Sequence, residues 1–587
     1  MRPRTLLSVV FGVIGFLFIA WIALFKMVDS DVWWHIKAGQ VMWDMKHMIT
    51  LDPFAYTRAG LPYLATHEWT AQLLFALFYG IGGSTGIILL RILCAVGVFA
   101  ILLQIDRKNL WPNVLLAMAA VIVMRQGILE RPQMISNVFF AMSLCLSFWL
   151  IDTDDNRIRK RILAVLIGLQ ILWVNMHGAE ALLSFVLLGC VFFQELASGR
   201  RSAVLRLLVI GGAGLFVAMF ISPNHYHNFS YIWLLLTDNT ASFIKEWTPH
   251  PWPQYLLQLG PFWIIAAASI LWSRRNPVGA GLLLLAIGIL SRTGSRHEVL
   301  FVITATGITF YELAKNIRWE FFLERARQWW HVSALVSLAI VAALAAFDAP
   351  QRTFLAQSNL NGFGSFAPAD GAIRFLEANK IKGRIYNTYA IGGSLLFHDI
   401  PVFMDGRNVD YGYNFLSDAL DAQSNPVTWK KLEDTYHFTV AVMEYTWSNA
   451  GVGSVVHLDQ NPDWALVYLD DWVAVYLKNV PENRSVIETF RYTLLNPSGF
   501  LTESVVSTSQ PALFPQLQKE LLRAVADDSR SIMALLSLGE LYATTGHFSE
   551  AIITAEEASR RSPARFEPYA LKGGIFAATG KWNDARE

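Results

Sequence analysis

Long apolar runs alternate with short polar connections over the first 350 residues, after which the pattern changes. Arg2 and Arg4 precede an apolar stretch that ends near Phe25. It is longer than a signal-peptide core and lacks a small-x-small cleavage site, so it reads as an uncleaved first span with a cytoplasmic N-terminus. Further apolar segments lie near 69–84, 85–105, 110–124, 134–152, 161–175, 179–196, 203–221, 255–272, 277–291, 298–315 and 331–347. The basic connections are Asp106–Asn109, Arg157–Arg161, Gly199–Arg201, Ser273–Arg275 and Lys315–Arg327. They belong on the cytoplasmic face.

If every segment crossed, several of these connections would lie on the wrong side. The conflict disappears if 69–84, short and ending in a Gly cluster, lies at the interface as an amphipathic helix. Eleven spans then remain in a transmembrane domain over 1–347. The outer face gathers the loop 28–84, Leu129–Gln133, Asn175–Gly178, Ser222–Pro253 and Ser291–Glu298, and the C-terminal part emerges there.

Beyond a linker at 348–364, the runs GRIYNTYA, IPVFMDGR, FTVAVMEY, WALVYLDD and WVAVYLK alternate with the helical patterns ADGAIRFLEANK and VTWKKLEDTYHF. They predict a small α/β domain over 365–480. A helical linker fills 481–530. From 531, Leu538-Gly-Glu-Leu-Tyr542, Gly546, Ala551, Ala558 and Pro563 match a tetratricopeptide repeat (TPR), and Gly573, Phe576, Gly580 and Ala585 begin a second one at the 34-residue period. Such arrays need neighbours, so the sequence reads as one cut short inside its second repeat.

Composition agrees with a membrane protein: 54% of residues are hydrophobic, 16% charged, and mean hydropathy is +0.37. A net charge of +1 offers no bulk attraction to nucleic acid. Cys94, Cys145 and Cys190 lie in apolar runs, with neither disulfide nor metal-ligand spacing. A phosphate-cradling Gly loop with Lys, a zinc-type helix motif and a nucleophile elbow are absent, which argues against nucleotide hydrolysis.

The first outer loop, DVWWHIKAGQVMWDMKHMITLDPFAYTRAGLPYLATHEW, concentrates carboxylates, imidazoles and indoles where a scaffold needs few. Asp31 follows the first span closely and is the leading candidate for proton transfer, with a divalent cation at Asp31 left open. Trp33 and Trp34 are interfacial anchors or ligand contacts, and His35 adjoins them. His67 and Glu68 close the loop. Glu68 either shares a cavity with Asp31 or complements a helix dipole. Asp52 reads as the head of an Asx turn.

Glu130-Arg131-Pro132-Gln133 puts a guanidinium between two apolar segments, where it grips a phosphate or snorkels to the interface. Arg292, Arg296 and His297 repeat that theme. His177 is a helix cap or a ligand contact. Asn224, His225 and His227 lack a third metal partner at fixed spacing, and Asp405-Gly-Arg407 is a turn with an internal ion pair or a binding loop. The candidate catalytic set is therefore Asp31, Glu68 and Glu130.

A long outer loop bearing Asp31, an interfacial helix after it and a second outer loop with Glu130 resemble the membrane glycosyltransferases of the GT-C superfamily, which include protein mannosyltransferases and lipid A aminoarabinose transferases. The strings DVWWHIKAGQ, LDPFAYT, HEWTAQLLFALFYGIGG, ERPQM, WVNMHG, EW at 246–247, SRHE and FMDGRNVDY are similar to those of a group of bacterial multi-pass proteins of this kind. The resemblance covers residues 1–480. It departs from the usual pattern in two ways: Glu130-Arg131 stands in place of a lone Asp, and Asp31 is read as the only acidic residue where many members carry a pair.

The resemblance implies a polyprenyl-phosphate-linked sugar donor, transfer with inversion on the outer face of the cytoplasmic membrane, and Asp31 as the base or a cation holder. It further implies that Arg131, Arg296 and His297 neutralise the leaving phosphate and that Trp33 and Trp34 stack on a sugar. Two rival expectations stand beside it. One is a transporter-like, lipid-binding protein that makes no bonds, and the other is an assembly protein that recruits partners through its repeats.

Overall fold

The computed structural model describes residues 3–581, apart from 200–201, 274–276, 316–320, 322–323, 326–327, 446–455 and 498–504. The Arg200-Arg201 and Arg274-Arg275 pairs, most of Lys315–Arg327 and Ala585 lie outside the described residues. All eleven segments expected as spans are helical. The helices Ala65–Leu102, Pro132–Asp152, Glu180–Ala197, Trp252–Leu271 and His331–Gln357 are long and apolar enough to cross a membrane. Val10–Ala23, Leu110–Met124, Ser202–Ala218 and Val278–Leu290 are shorter apolar helices. Helix Glu298–Lys315 is buried along almost its whole length and packs against Leu110–Met124, Pro132–Asp152, Trp252–Leu271 and Val278–Leu290.

The segment 69–84 is joined to the next run in one helical stretch, Trp69–Leu102, that breaks at Gly82 and Gly83. Gly83 has φ +58° and ψ −142°, a backbone that side chains disfavour. A Cβ on Gly86 would lie 2.0 Å from the Phe78 carbonyl oxygen. Residues eight apart in a straight helix are separated by about 12 Å, so the chain turns back sharply. The rod before the break packs along helix Val32–Met45, where Gly39 meets the Gln72 backbone.

Four strands form a mixed sheet: β1 (Ile385–Asn387), β2 (Val440–Glu444), β3 (Trp464–Leu469) and β4 (Val473–Lys478), in the order β1-β2-β4-β3. β1 and β2 are parallel and the other pairs antiparallel. Nearly every strand residue is buried, because helices Asp370–Ala378 and Pro426–Tyr436 and the first outer loop cover the sheet. IPVFMDGR, expected as a strand, joins no ladder; Val402 bridges only to Ala55 in the outer loop. The Asn387 side chain takes over there, accepting from Phe403 N and donating to Met404 O.

The sheet unit is fastened to the loop 28–84 and the residues just before it. Lys26 N and Met27 N donate to the carbonyls of Leu360 and Gly364, Tyr56 Oη donates to Ile385 O and Thr57 Oγ1 to Phe403 O. One apolar core contains Trp34, Met42, Phe54 and Tyr63 from the loop together with the sheet interior. Beyond it, helices Phe514–Asp527, Met533–Thr544, Phe548–Arg561 and Glu567–Ala578 each pack on the next.

Candidate functional site

Asp31 immediately precedes helix Val32–Met45 and makes no capping bond to it. Its Oδ2 instead lies 3.2 Å from Arg131 Nη2. Arg131 is extended, with φ −127° and ψ 159°, as the residue before a proline must be. Pro132 then starts the next helix, and the guanidinium reaches the first loop. Arg131 Nε donates to Asp29 Oδ2 at 2.6 Å and Nη1 pairs with Glu246. Asp29 Oδ1 accepts from the Asp31 backbone N–H at 2.8 Å. One guanidinium thus holds three carboxylates from two loops.

Burial pushes the Asp31 carboxyl up to about 7; Arg131 opposes the shift, while Asp29 and Glu246 add to it. Asp29 and Glu246 had no role in the sequence reading. Asp29 corrects the expectation of a single acidic residue: Asp29 and Asp31 form a pair on one arginine. Their spacing in VDSDVWW was the available signal. Glu246 lay in the noted EW string, but nothing local tied it to residue 131.

The Asp405–Arg407 turn of the sheet unit forms a wall beside Asp31. A Cβ on Gly406 would fall 1.8 Å from Asp31 Oδ1 and 3.0 Å from Trp34 Nε1, so only a bare backbone fits. Trp33 and Trp34 are 8% and 5% exposed. Trp33 packs on Phe397 at 5.0 Å and Trp34 on His35 at 3.6 Å. Both indoles are buried and packed on these rings. The Arg407 side chain binds Asp405 through two nitrogens, at 2.8 and 2.5 Å.

Glu68 gathers a separate cluster. Its carboxylate lies 3.4 Å from His67 Nε2, 3.4 Å from His177 Nε2 and 3.9 Å from His35 Nδ1. His177 Nδ1 is 3.3 Å from Glu180. Burial pushes His35 down to about 3, against the pull of Glu68, so the ring is neutral at physiological pH. Burial also works to lower His177, but Glu180 and Glu68 outweigh it and hold its pKa above the ordinary value. Glu130 touches the first cluster only through Oε2, which accepts from the Asp29 backbone N–H at 3.4 Å. It forms an ion pair with Arg91, both side chains having no exposed surface. Arg91 also donates to the Ala23 carbonyl at 3.0 Å and to that of Phe25.

Beside Arg131 lies a cavity of about 740 Å³ whose wall includes Gln133, Lys245, Glu246, His250 and Arg296. Gln133 Nε2 donates to the Arg296 carbonyl at 2.9 Å, and the Arg296 guanidinium lies 4.4 Å over the Trp247 ring. Arg292 is stacked on Trp252 and Tyr255, at 4.2 and 4.6 Å, and donates to the His250 carbonyl. His297 bonds Thr293 at 2.9 Å; burial, with Arg296 nearby, pushes its pKa down to about 4, so it carries no charge at neutral pH. The tertiary structure therefore brings Arg131 and Arg296 to one cavity and leaves Arg292 in an aromatic clamp.

At Asp31 the residues leave a divalent cation no room. Among the described residues no three His, Cys, Asp or Glu side chains converge as a metal-holding group. The position between Asp29, Asp31 and Glu246 is filled by the Arg131 guanidinium, so no step is derived through a metal.

No protein-family profile and no curated protein matches the chain. Its fold is similar to that of ArnT from Cupriavidus metallidurans in the apo state, with TM-score 0.52, 14% identity, and coverage of 81% of this chain and 98% of that one. It is also similar to ArnT from the same organism bound to undecaprenyl phosphate, with TM-score 0.50 and the same identity and coverage. At that identity the likeness speaks for architecture alone: the chain is a membrane protein whose fold is like that of ArnT.

Proposed function

We propose that the chain is a membrane glycosyltransferase that moves a sugar from a polyprenyl-phosphate-linked donor to an acceptor hydroxyl on the outer face of the cytoplasmic membrane. The observation that carries this reading is the contact of Asp31 with Arg131, which itself lines a cavity together with Arg296 and Lys245. A carboxylate with a pKa near neutrality is suited to take a hydroxyl proton. Clustered cations are suited to a leaving phosphate. The similar fold of ArnT bound to undecaprenyl phosphate supports the lipid class.

In this reading the acceptor oxygen attacks the anomeric carbon on the face opposite the phosphate. Its proton passes to Asp31, the anomeric C–O bond breaks, and the lipid phosphate leaves with the bonding electrons towards Arg296 and Lys245, with Arg131 beside them. Asp29 fixes Arg131 and the Asp31 backbone. Glu130 neutralises Arg91 within the scaffold, and Glu68 with its three histidines forms a polar wall. The last helices are read as tetratricopeptide repeats that recruit a protein partner; Met533 and Glu567 each begin a helix, 567 − 533 = 34 residues apart.

The test is sugar transfer by the purified full chain from labelled polyprenyl-phosphate sugars. Asp31→Asn is expected to lower kcat by about 100-fold or more. Equal transfer by wild type and variant would remove Asp31 from the mechanism.

A further inference from the structure

We infer that Glu246 holds the donor-phosphate position of Arg131 in the ligand-free protein and is displaced when the anionic donor enters. The inference rests on the proposed function and adds a residue that sets donor affinity.

The three carboxylates on Arg131 are not equivalent. Asp29 is buried and doubly held, by Arg131 Nε and by the Asp31 backbone N–H. Asp31 is walled in by the Asp405–Arg407 turn. Glu246 comes from another loop, sits in the cavity wall and takes Nη1. It lies in the short turn Lys245–Trp247, which has no buried residue. That turn is tied to its neighbours by Ser295 Oγ donating to the Glu246 carbonyl and by Ser295 N donating to that of Thr248. The backbone is anchored, and the side chain, 29% exposed, is held by Arg131 alone among the ion pairs of the described residues.

The surrounding charges are those of an anion site. Arg131, Lys245 and Arg296 line the cavity, and neither Lys245 nor Arg296 forms an ion pair among the described residues. Among the described residues, the carboxylate placed on these cations from the cavity wall is Glu246. A phosphate oxygen entering would meet the same Nη1 hydrogen, and two anions cannot share it without strong repulsion. The carboxylate pairs with Nη1 until the donor enters, while Asp29 and Asp31 keep the rest of the guanidinium, and it lowers the affinity for the donor.

The experiment measures binding of a polyprenyl phosphate to the purified full chain in detergent, alongside donor KM and kcat. Glu246→Gln is expected to bind the lipid phosphate about tenfold more tightly, and donor KM falls while kcat does not rise. Glu246→Asp should restore most of the wild-type KM. In an Arg131→Gln background the gain from Glu246→Gln should vanish, because the competition is for that guanidinium. Equal affinity of wild type and Glu246→Gln would overturn the inference and leave the transferase reading standing. Failure of both to bind a polyprenyl phosphate would overturn the transferase reading and the inference with it.

Discussion

Arg407 Nη1 and Asp52 Oδ2 meet at 2.6 Å across 355 residues of sequence, the guanidinium 1% exposed and the carboxylate not at all. Asp52 Oδ1 meanwhile accepts from the backbone of Phe54 and Ala55 at 2.9 and 3.2 Å. A local turn in the outer loop therefore doubles as the socket for the sheet unit, whose Asp405–Arg407 turn borders Asp31.

Arg407→Met should separate these parts. It leaves Asp52, Asp405 and Asp410 buried around a missing cation, and breaking such a pair costs about 3–5 kcal/mol. Thermal unfolding in detergent should come at a clearly lower temperature, and transfer activity should fall with the folded fraction. An unchanged melting temperature would mean that the sheet unit is held by its apolar contacts and its other hydrogen bonds without this ion pair.

Glu130→Gln should behave as a folding defect. It strands Arg91, which has no exposed surface, at about 3–5 kcal/mol. Replacing both partners, Arg91→Met with Glu130→Leu, should recover folded protein, since an apolar pair of similar volume is often neutral. If the double variant folds as wild type yet transfers no sugar, Glu130 acts in the reaction.

Gly83→Ala should destabilise the bend after Ile81 by about 1–2 kcal/mol, the strain of a left-handed backbone under a side chain. Gly86→Ala should do more damage, because its new methyl would meet the Phe78 backbone, which cannot move aside. Protease sensitivity of the 69–102 segment is the measure, with Gly80→Ala, where a Cβ meets nothing, as the control.

Activity should depend on pH through Asp31. A base works only when deprotonated, and the carboxyl is pushed up to about 7 by burial, with Asp29 and Glu246 adding to the shift. The rate at low donor concentration should rise between about pH 6 and 8 and level off above. Glu246→Gln removes one of the charges that raise this pKa, so its profile should move to lower pH. A profile flat over that range, or one that falls as pH rises, would remove Asp31 as the base.

Much of the architecture was legible because it is written in local periodicity. Apolar runs place helices such as Leu110–Met124 and Glu298–Lys315 at their expected bounds, since 15 and 18 neighbouring residues agree on one answer. The IPVFMDGR run shows the limit: its β-branched and aromatic residues suit a strand, but the packing of Val402 against Ala55 and the Asn387 side chain claims its backbone first.

The site was legible in its residue types more than in its pairings. Asp31, Glu68, Glu130 and Arg131 stood out as charges beside apolar runs, and that much the sequence alone determined, because burying such groups without a purpose is costly. Which charge meets which was decided only in three dimensions. Glu68 went to the histidines, Glu130 to Arg91, and Asp31 to an arginine shared with Asp29 and Glu246. These partners lie up to 115 residues apart. Hydrophobic period carries no information across such distances, whereas an ion pair depends on positions within a few ångströms, which the packing of several helices sets together.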